Sequence, residues 1–81
     1  MKHIIYFYKS GCGPCQEVKP LIEEFAKTNE MERINIDEEH PLTDKLNVMY
    51  APTIIVIDET NLDIKRYEGT KKVKDFVNEN K

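Results

Sequence analysis

Cys12-Gly13-Pro14-Cys15 holds both cysteines of the chain. Two thiols separated by two residues can close a small disulfide ring or share a metal ion. An apolar run, Ile4-Ile5-Tyr6-Phe7-Tyr8, precedes the pair, and a helical pattern opens near Gly13. Cysteines at a strand-to-helix junction face the positive end of the helix dipole, which favours thiolate over thiol. His3 and His40 are the available nitrogen ligands for zinc. His3 falls at the end of the first strand away from the cysteines, so a Cys2His2 centre is geometrically poor and no metal is expected.

The 81 residues are expected to form a single domain, 1–81, with a modest core. Hydrophobic residues make up 40% and charged residues 33%, values ordinary for a soluble globular protein. A net charge of −3, with bases interspersed among acids, gives no basic stripe and no expectation of a nucleic-acid partner. Lys71, Lys72 and Lys74 read as a solvated helix face. The apolar run before Lys9 is too short for a signal-peptide core or a membrane span. A cytoplasmic location without membrane association is the resulting expectation, and there a pair of cysteines serves catalysis or metal binding more readily than structure.

Several elements must position the pair. Residues 3–8 are apolar on both faces, as in a central strand covered on both sides. From Gly13 to Thr28, Val18, Leu21, Ile22, Phe25 and Ala26 form an apolar stripe opposite Glu17, Lys19, Glu23, Glu24 and Lys27. Pro14 suits the first turn of that helix, Pro20 should kink it, and Asn29 should stop it. A second strand is expected over 31–36, then a short helix entered at Pro41 with Leu42, Leu46 and Val48 inward. Ile54-Ile55-Val56-Ile57 reads as another buried strand, a turn follows over 58–61, and residues 62–68 return as a hairpin partner. Thr70 is a candidate cap for a last helix whose stripe is Val73, Phe76 and Val77. The order is β-α-β-α-β-β-α.

A βαβ unit, a hairpin and a helix, with Cys-x-x-Cys at the first strand-helix junction, resembles the thioredoxin family over nearly the whole chain. Cys12-Gly13-Pro14-Cys15 is identical to that family's active-site tetrapeptide. Pro20 matches its helix-kinking proline, Asn35-Ile36-Asp37 a typical strand ending, and Ala51-Pro52-Thr53 its cis-proline loop. Gly69 corresponds to a glycine near the substrate groove. The resemblance implies an α/β thioredoxin-like fold, a four-stranded mixed sheet flanked by three helices. Larger thioredoxins begin with an extra strand and helix, so the strand at 31–36 should be a sheet edge, protected by Glu32 and Arg33. Gly11 stands where thioredoxins usually carry tryptophan, and Tyr6 where many carry a buried aspartate that helps move the proton of the second cysteine.

Thiol–disulfide exchange needs an exposed, low-pKa thiolate and a second thiol within ring-closing reach. Cys12, ahead of the helix, is the expected nucleophile, and Cys15, one turn in, the resolving thiol. Gly13 should let the loop turn tightly and Pro14 restrict it. Were the peptide bond before Pro52 cis, the Ala51 backbone would face Cys12, and an extended substrate could pair with it as an added strand. The bland alternative is a proline that merely starts a strand. Tyr50, with Tyr8, is expected to flank the site as an apolar docking surface or to pack partly into the core. Met49 is a further candidate contact, and Tyr6 reads as core. Lys9 and Thr53 are expected to tune the site. Lys9 stands where glutaredoxins carry a lysine that contacts glutathione, yet could simply assist the thiolate or lie in solvent.

The resemblance implies a protein-disulfide reductase acting as a monomer, with no bound cofactor beyond the redox-active Cys12–Cys15 disulfide. Its partners would be disulfide-containing proteins and a thioredoxin-reductase-like flavoprotein supplying electrons from NADPH. The alternatives are a glutaredoxin-like, glutathione-dependent enzyme and a thioredoxin-like binding subunit without a redox role.

Overall fold

The apolar run at the start of the chain becomes one of the two central strands of the sheet. The computed structural model describes residues 2–80. Among them, strand β1 (Lys2–Tyr8) leads to helix α1 (Gly13–Ala26) and strand β2 (Glu32–Asn35). Helix α2 (Pro41–Lys45), the β3 (Thr53–Asp58) and β4 (Asp63–Glu68) hairpin and helix α3 (Thr70–Glu79) complete the expected order. The sheet runs β2-β1-β3-β4, with β1 parallel to β2 and antiparallel to β3, so β2 lies at an edge.

Side-chain alternation sorts the two cores. Tyr6, Ile54 and Val56 point to one face and pack against Val18, Ile22 and Phe25 of α1 and Val73, Phe76 and Val77 of α3. Ile5, Phe7 and Ile55 point to the other and pack with Ile34 and Val48, roofed by Leu42 and Leu46. A strand buried on both faces has no polar side to show, hence the unbroken apolar runs in β1 and β3. The rings of Phe25 and Phe76 meet edge-on with centroids 5.6 Å apart, and Lys74 reaches Glu17 at 3.3 Å, so α3 is tied to α1 by both packing and charge.

Boundaries differ from the sequence reading where a side chain satisfies the backbone early. The first helix ends at Ala26, before Thr28, because the backbone N–H and side-chain amide of Asn29 both donate to the Phe25 carbonyl at 3.1 Å. Pro20 lies within that helix without ending it. At α2, Pro41 occupies the first turn as expected, and the cap is His40, whose Nδ1 accepts from the Leu42 N–H at 3.1 Å. Thr70 is not a cap but the first residue of α3, preceded by Gly69 with φ 92°. Leu62 falls outside the last strand, in the turn before it, with φ 55°.

Leu62 is 89% exposed, so its left-handed backbone has no packing to offset it. An L-residue there costs about 1–2 kcal/mol, against about 0.5–1 kcal/mol of extra chain entropy lost by glycine. Leu62→Gly is therefore expected to stabilise the fold by about 0.5 kcal/mol in a urea titration. A clear loss of stability would show that Leu62 makes a contact that matters.

Candidate active site

The register of the sheet assembles this site. Phe7 lies opposite Thr53 in the β1/β3 pair, and Thr53 lies opposite Glu68 in β3/β4. Three chain segments therefore meet at one edge: residues 9–12 after β1, Tyr50-Ala51-Pro52 before β3, and Gly69 after β4. The Ala51–Pro52 peptide bond is cis. Thr53 is fully buried, and its Oγ1 donates to the Tyr50 carbonyl at 2.8 Å. The Gly69 N–H donates to the Pro52 carbonyl at 2.9 Å from a backbone, φ 92° and ψ 163°, open essentially to glycine alone. Across the sheet, Tyr8 pairs with Asn35, whose amide donates to Ser10 Oγ at 2.9 Å. Gly11, with φ 70°, then turns the chain into α1. Gly13 does not make that turn: it is the first helical residue, in ordinary backbone geometry.

Cys12 caps α1. Its Sγ accepts the Cys15 N–H at 3.2 Å, and its carbonyl accepts the Gln16 N–H at 3.1 Å. A sulfur in the N-cap position meets the unpaired amides of the first turn, which interact most favourably with negative charge. Pro14 sits in that turn, where it removes no hydrogen bond the helix needs. In the thiol form, Cys12 donates across to the Ala51 carbonyl at 3.8 Å, so the half-buried sulfur looks onto the proline loop.

Cys15, one turn along, is 6% exposed. Burial pushes its thiol up to about 11, and the hydrogen bond to the Cys12 side chain adds to the rise, while the Lys9 backbone and charge act against it. The two sulfurs thus differ by position: one accessible at a helix end, the other buried and held as a thiol.

Two separate concavities flank the pair. A groove of about 510 Å³ runs over Pro14, Tyr50, Ala51, Pro52 and Gly69. Tyr50 is 66% exposed along it, and Met49 beside Tyr50 is equally open. A second cavity, about 360 Å³, is walled by Cys12, Cys15, Tyr6, Tyr8 and Lys9. The structure brings Pro14, Tyr50, Ala51, Pro52 and Gly69 together as the sequence suggested. Tyr8, expected beside Tyr50, lines the second cavity instead and stacks on Tyr6 with ring centroids 5.9 Å apart, while Lys9 lines that cavity beside the two cysteines it was expected to tune. Tyr6 is core, as expected, yet its ring also lines the second cavity.

Two basic residues expected only at the sheet edges, Arg33 and Arg66, have further placements in the structure. Arg33 pairs in register with Tyr6, and that register was the signal that could have placed it. Arg66 donates to the carbonyls of Leu46 and Asn47, bracing the loop that leads into Tyr50. The histidines have structural work: His3 Nε2 lies 2.8 Å from Glu59, and His40 caps α2. Among the described residues, no group of three or more histidine, cysteine or acidic side chains could hold a metal ion.

Comparison with known proteins adds to this geometry. The thioredoxin family model matches residues 1–80. A thioredoxin from Alicyclobacillus acidocaldarius is 32% identical over 78 residues, covering 91% of this chain and 65% of the relative. Thioredoxin-1 from Caenorhabditis elegans is 36% identical over 55 residues, 64% of this chain and 48% of the relative. The chain thus spans less than two thirds of the length of these relatives. Among solved structures, Fasciola hepatica thioredoxin superposes with a TM-score of 0.77 at 24% identity, covering 99% of this chain and 81% of that one. Schistosoma mansoni thioredoxin gives 0.74 at 24% identity, with 96% and 75% coverage. At those identities the likeness speaks for the fold.

The raised Cys15 thiol links protonation to folding. Its pKa is about 11 in the fold against an ordinary 9.0, so the native state holds its proton more tightly. That contribution is fully present below pH 9.0 and is lost as pH rises towards about 11. Reduced protein is expected to lose on the order of 2 kcal/mol across this window relative to Cys15→Ser, followed by denaturant titrations at a series of pH values. Parallel curves for the two proteins would contradict the assignment.

Proposed function

The chain belongs to the thioredoxin family, and from that premise we propose that it is a thiol–disulfide oxidoreductase that reduces disulfides in proteins. Cys12 attacks one sulfur of the substrate disulfide, forming a mixed disulfide and releasing the other sulfur as a thiolate. Cys15 then loses its proton and attacks Cys12, forming the Cys12–Cys15 bond and freeing the second substrate sulfur. Two electrons pass from the dithiol to the substrate. The observation that carries this reading is the Cys12 sulfur itself, capping α1 at 3.2 Å from the Cys15 N–H and facing the Ala51 carbonyl at 3.8 Å.

The groove supplies the docking surface. An extended segment lying over Pro14 and Tyr50 pairs with the Ala51 backbone as a short added strand, which sets its disulfide against Cys12. Gly69 leaves that path free of a side chain, and Thr53 holds the loop in place from below. Electrons return from NADPH through a flavoprotein reductase, and the protein works as a monomer in the cytoplasm, where the dithiol is kept reduced. Lys9, the residue suited to a glutathione carboxylate, lines the cavity apart from this groove. That placement favours the reductase-coupled reading over the glutathione-coupled one.

Insulin reduction by dithiothreitol, followed as turbidity, is expected to fall to the uncatalysed rate with Cys12→Ser. Cys15→Ser is expected to accumulate a covalent adduct with substrate on a non-reducing gel. Activity surviving the first change, or no adduct with the second, would overturn the assigned roles. Turnover with NADPH and a thioredoxin reductase should exceed turnover with glutathione and its reductase. The reverse order would favour the glutaredoxin-like reading, and no turnover with either the binding subunit.

A further inference from the structure

The cavity beside the dithiol, enclosed by β1, α1 and β2, is left over once the groove has been given its role. Cys12 and Cys15 form part of its wall, together with the ring of Tyr6. Lys9 from the loop after β1, Lys19 from α1 and Arg33 from β2 all line it. None of these three cations is in an ion pair among the described residues. One carboxylate, Glu23, shares the lining. The balance is an excess of positive charge around about 360 Å³ of open volume, room for a small anion and several waters.

The resolving step gives that charge a use. Cys15 must surrender a proton from a buried thiol before it can attack, and no side chain around it is placed to accept one. Tyr6 keeps its own proton, because burial and both sulfurs push its phenol well above the ordinary value, and Arg33, the one influence the other way, is weaker than these. Lys9, Lys19 and Arg33 are already cations. Glu23 stands eight residues further along α1, about 12 Å up the axis, too far for direct transfer.

We propose that this cavity binds a small oxyanion, held by Lys9, Lys19 and Arg33, which takes the proton of Cys15 during resolution of the mixed disulfide. The inference rests on the disulfide-exchange reading above. The Cys15 S–H proton passes to the bound oxyanion, the Cys15 sulfur bonds to Cys12, and the bond from Cys12 to substrate breaks. The substrate leaves as a thiolate, and the protonated oxyanion exchanges with solvent. Inorganic phosphate, a dianion and a base near neutral pH, is the probe.

Two measurements separate the site from the reaction. In a titration of the reduced protein with phosphate at fixed pH and ionic strength, amide and side-chain NMR shifts should cluster at Lys9, Gln16, Lys19 and Arg33. They should disappear in Lys19→Gln/Arg33→Gln and be partly restored by Lys19→Gln/Arg33→Lys. In stopped-flow measurements, release of substrate thiol from the mixed disulfide should accelerate about threefold or more with phosphate, as expected for general-base catalysis, and level off as the cavity fills. The double glutamine variant should show a flat response. Shifts scattered over the surface, or a phosphate response unchanged in that variant, would overturn the site. Clustered shifts with a resolution rate indifferent to phosphate would overturn its role as base. Failure of the mixed disulfide to form at all would sink the exchange reading, and the base role with it, while the NMR result would still decide whether the cavity binds the anion.

Discussion

The alignment of β1 with β3 is the constraint on which the rest depends. Phe7 opposite Thr53 puts the end of one strand beside the start of the other, and Thr53 opposite Glu68 extends the row to the end of β4. Residues distant in sequence thereby share one edge of the sheet. A slip of one residue would send Tyr6, Ile54 and Val56 to the face now filled by Ile5, Phe7 and Ile55, and both cores would be lost. The same packing that fixes the fold therefore brings the Ala51 carbonyl, at the cis-proline bond, to Cys12. The loop needs little bonding of its own beyond the Thr53 hydroxyl and the Gly69 N–H.

On that frame, two chemically identical side chains acquire different properties from one turn of helix. Cys12 precedes α1 and receives an amide hydrogen, whereas Cys15 is inside and desolvated. The difference costs no specialised residue, because it follows from where a helix begins. It leaves a second problem, since a buried thiol is reluctant to ionise and the strand beneath it offers a phenol in place of a carboxylate. The cationic cavity between α1 and β2 fits that gap, with solvent-borne base replacing a side chain.

Much of the fold was legible in the sequence because it is carried by apolar periodicity. The runs at Ile4–Tyr8 and Ile54–Ile57 could hardly be anything but two-sided strands, and the α1 and α3 stripes follow helical spacing. Local chemistry was legible where residue type and spacing act together, as at Cys12, Cys15 and Pro52. Reading failed where the deciding interaction was long-range or a side chain took an unusual partner. His40 as a cap and Arg66 bracing a loop from the neighbouring strand both belong there. Tyr8 was misplaced beside Tyr50 for a related reason. Nearness in sequence to Cys12 says nothing of which side of the dithiol a residue will face.

The central claim is that position alone divides the labour between the two sulfurs. Reduced protein treated with less than one equivalent of iodoacetamide near neutral pH, then digested and mapped by mass spectrometry, tests it directly. Alkylation is expected almost wholly at Cys12, with Cys15 modified only after unfolding. Equal labelling of the two, or a preference for Cys15, would contradict the account.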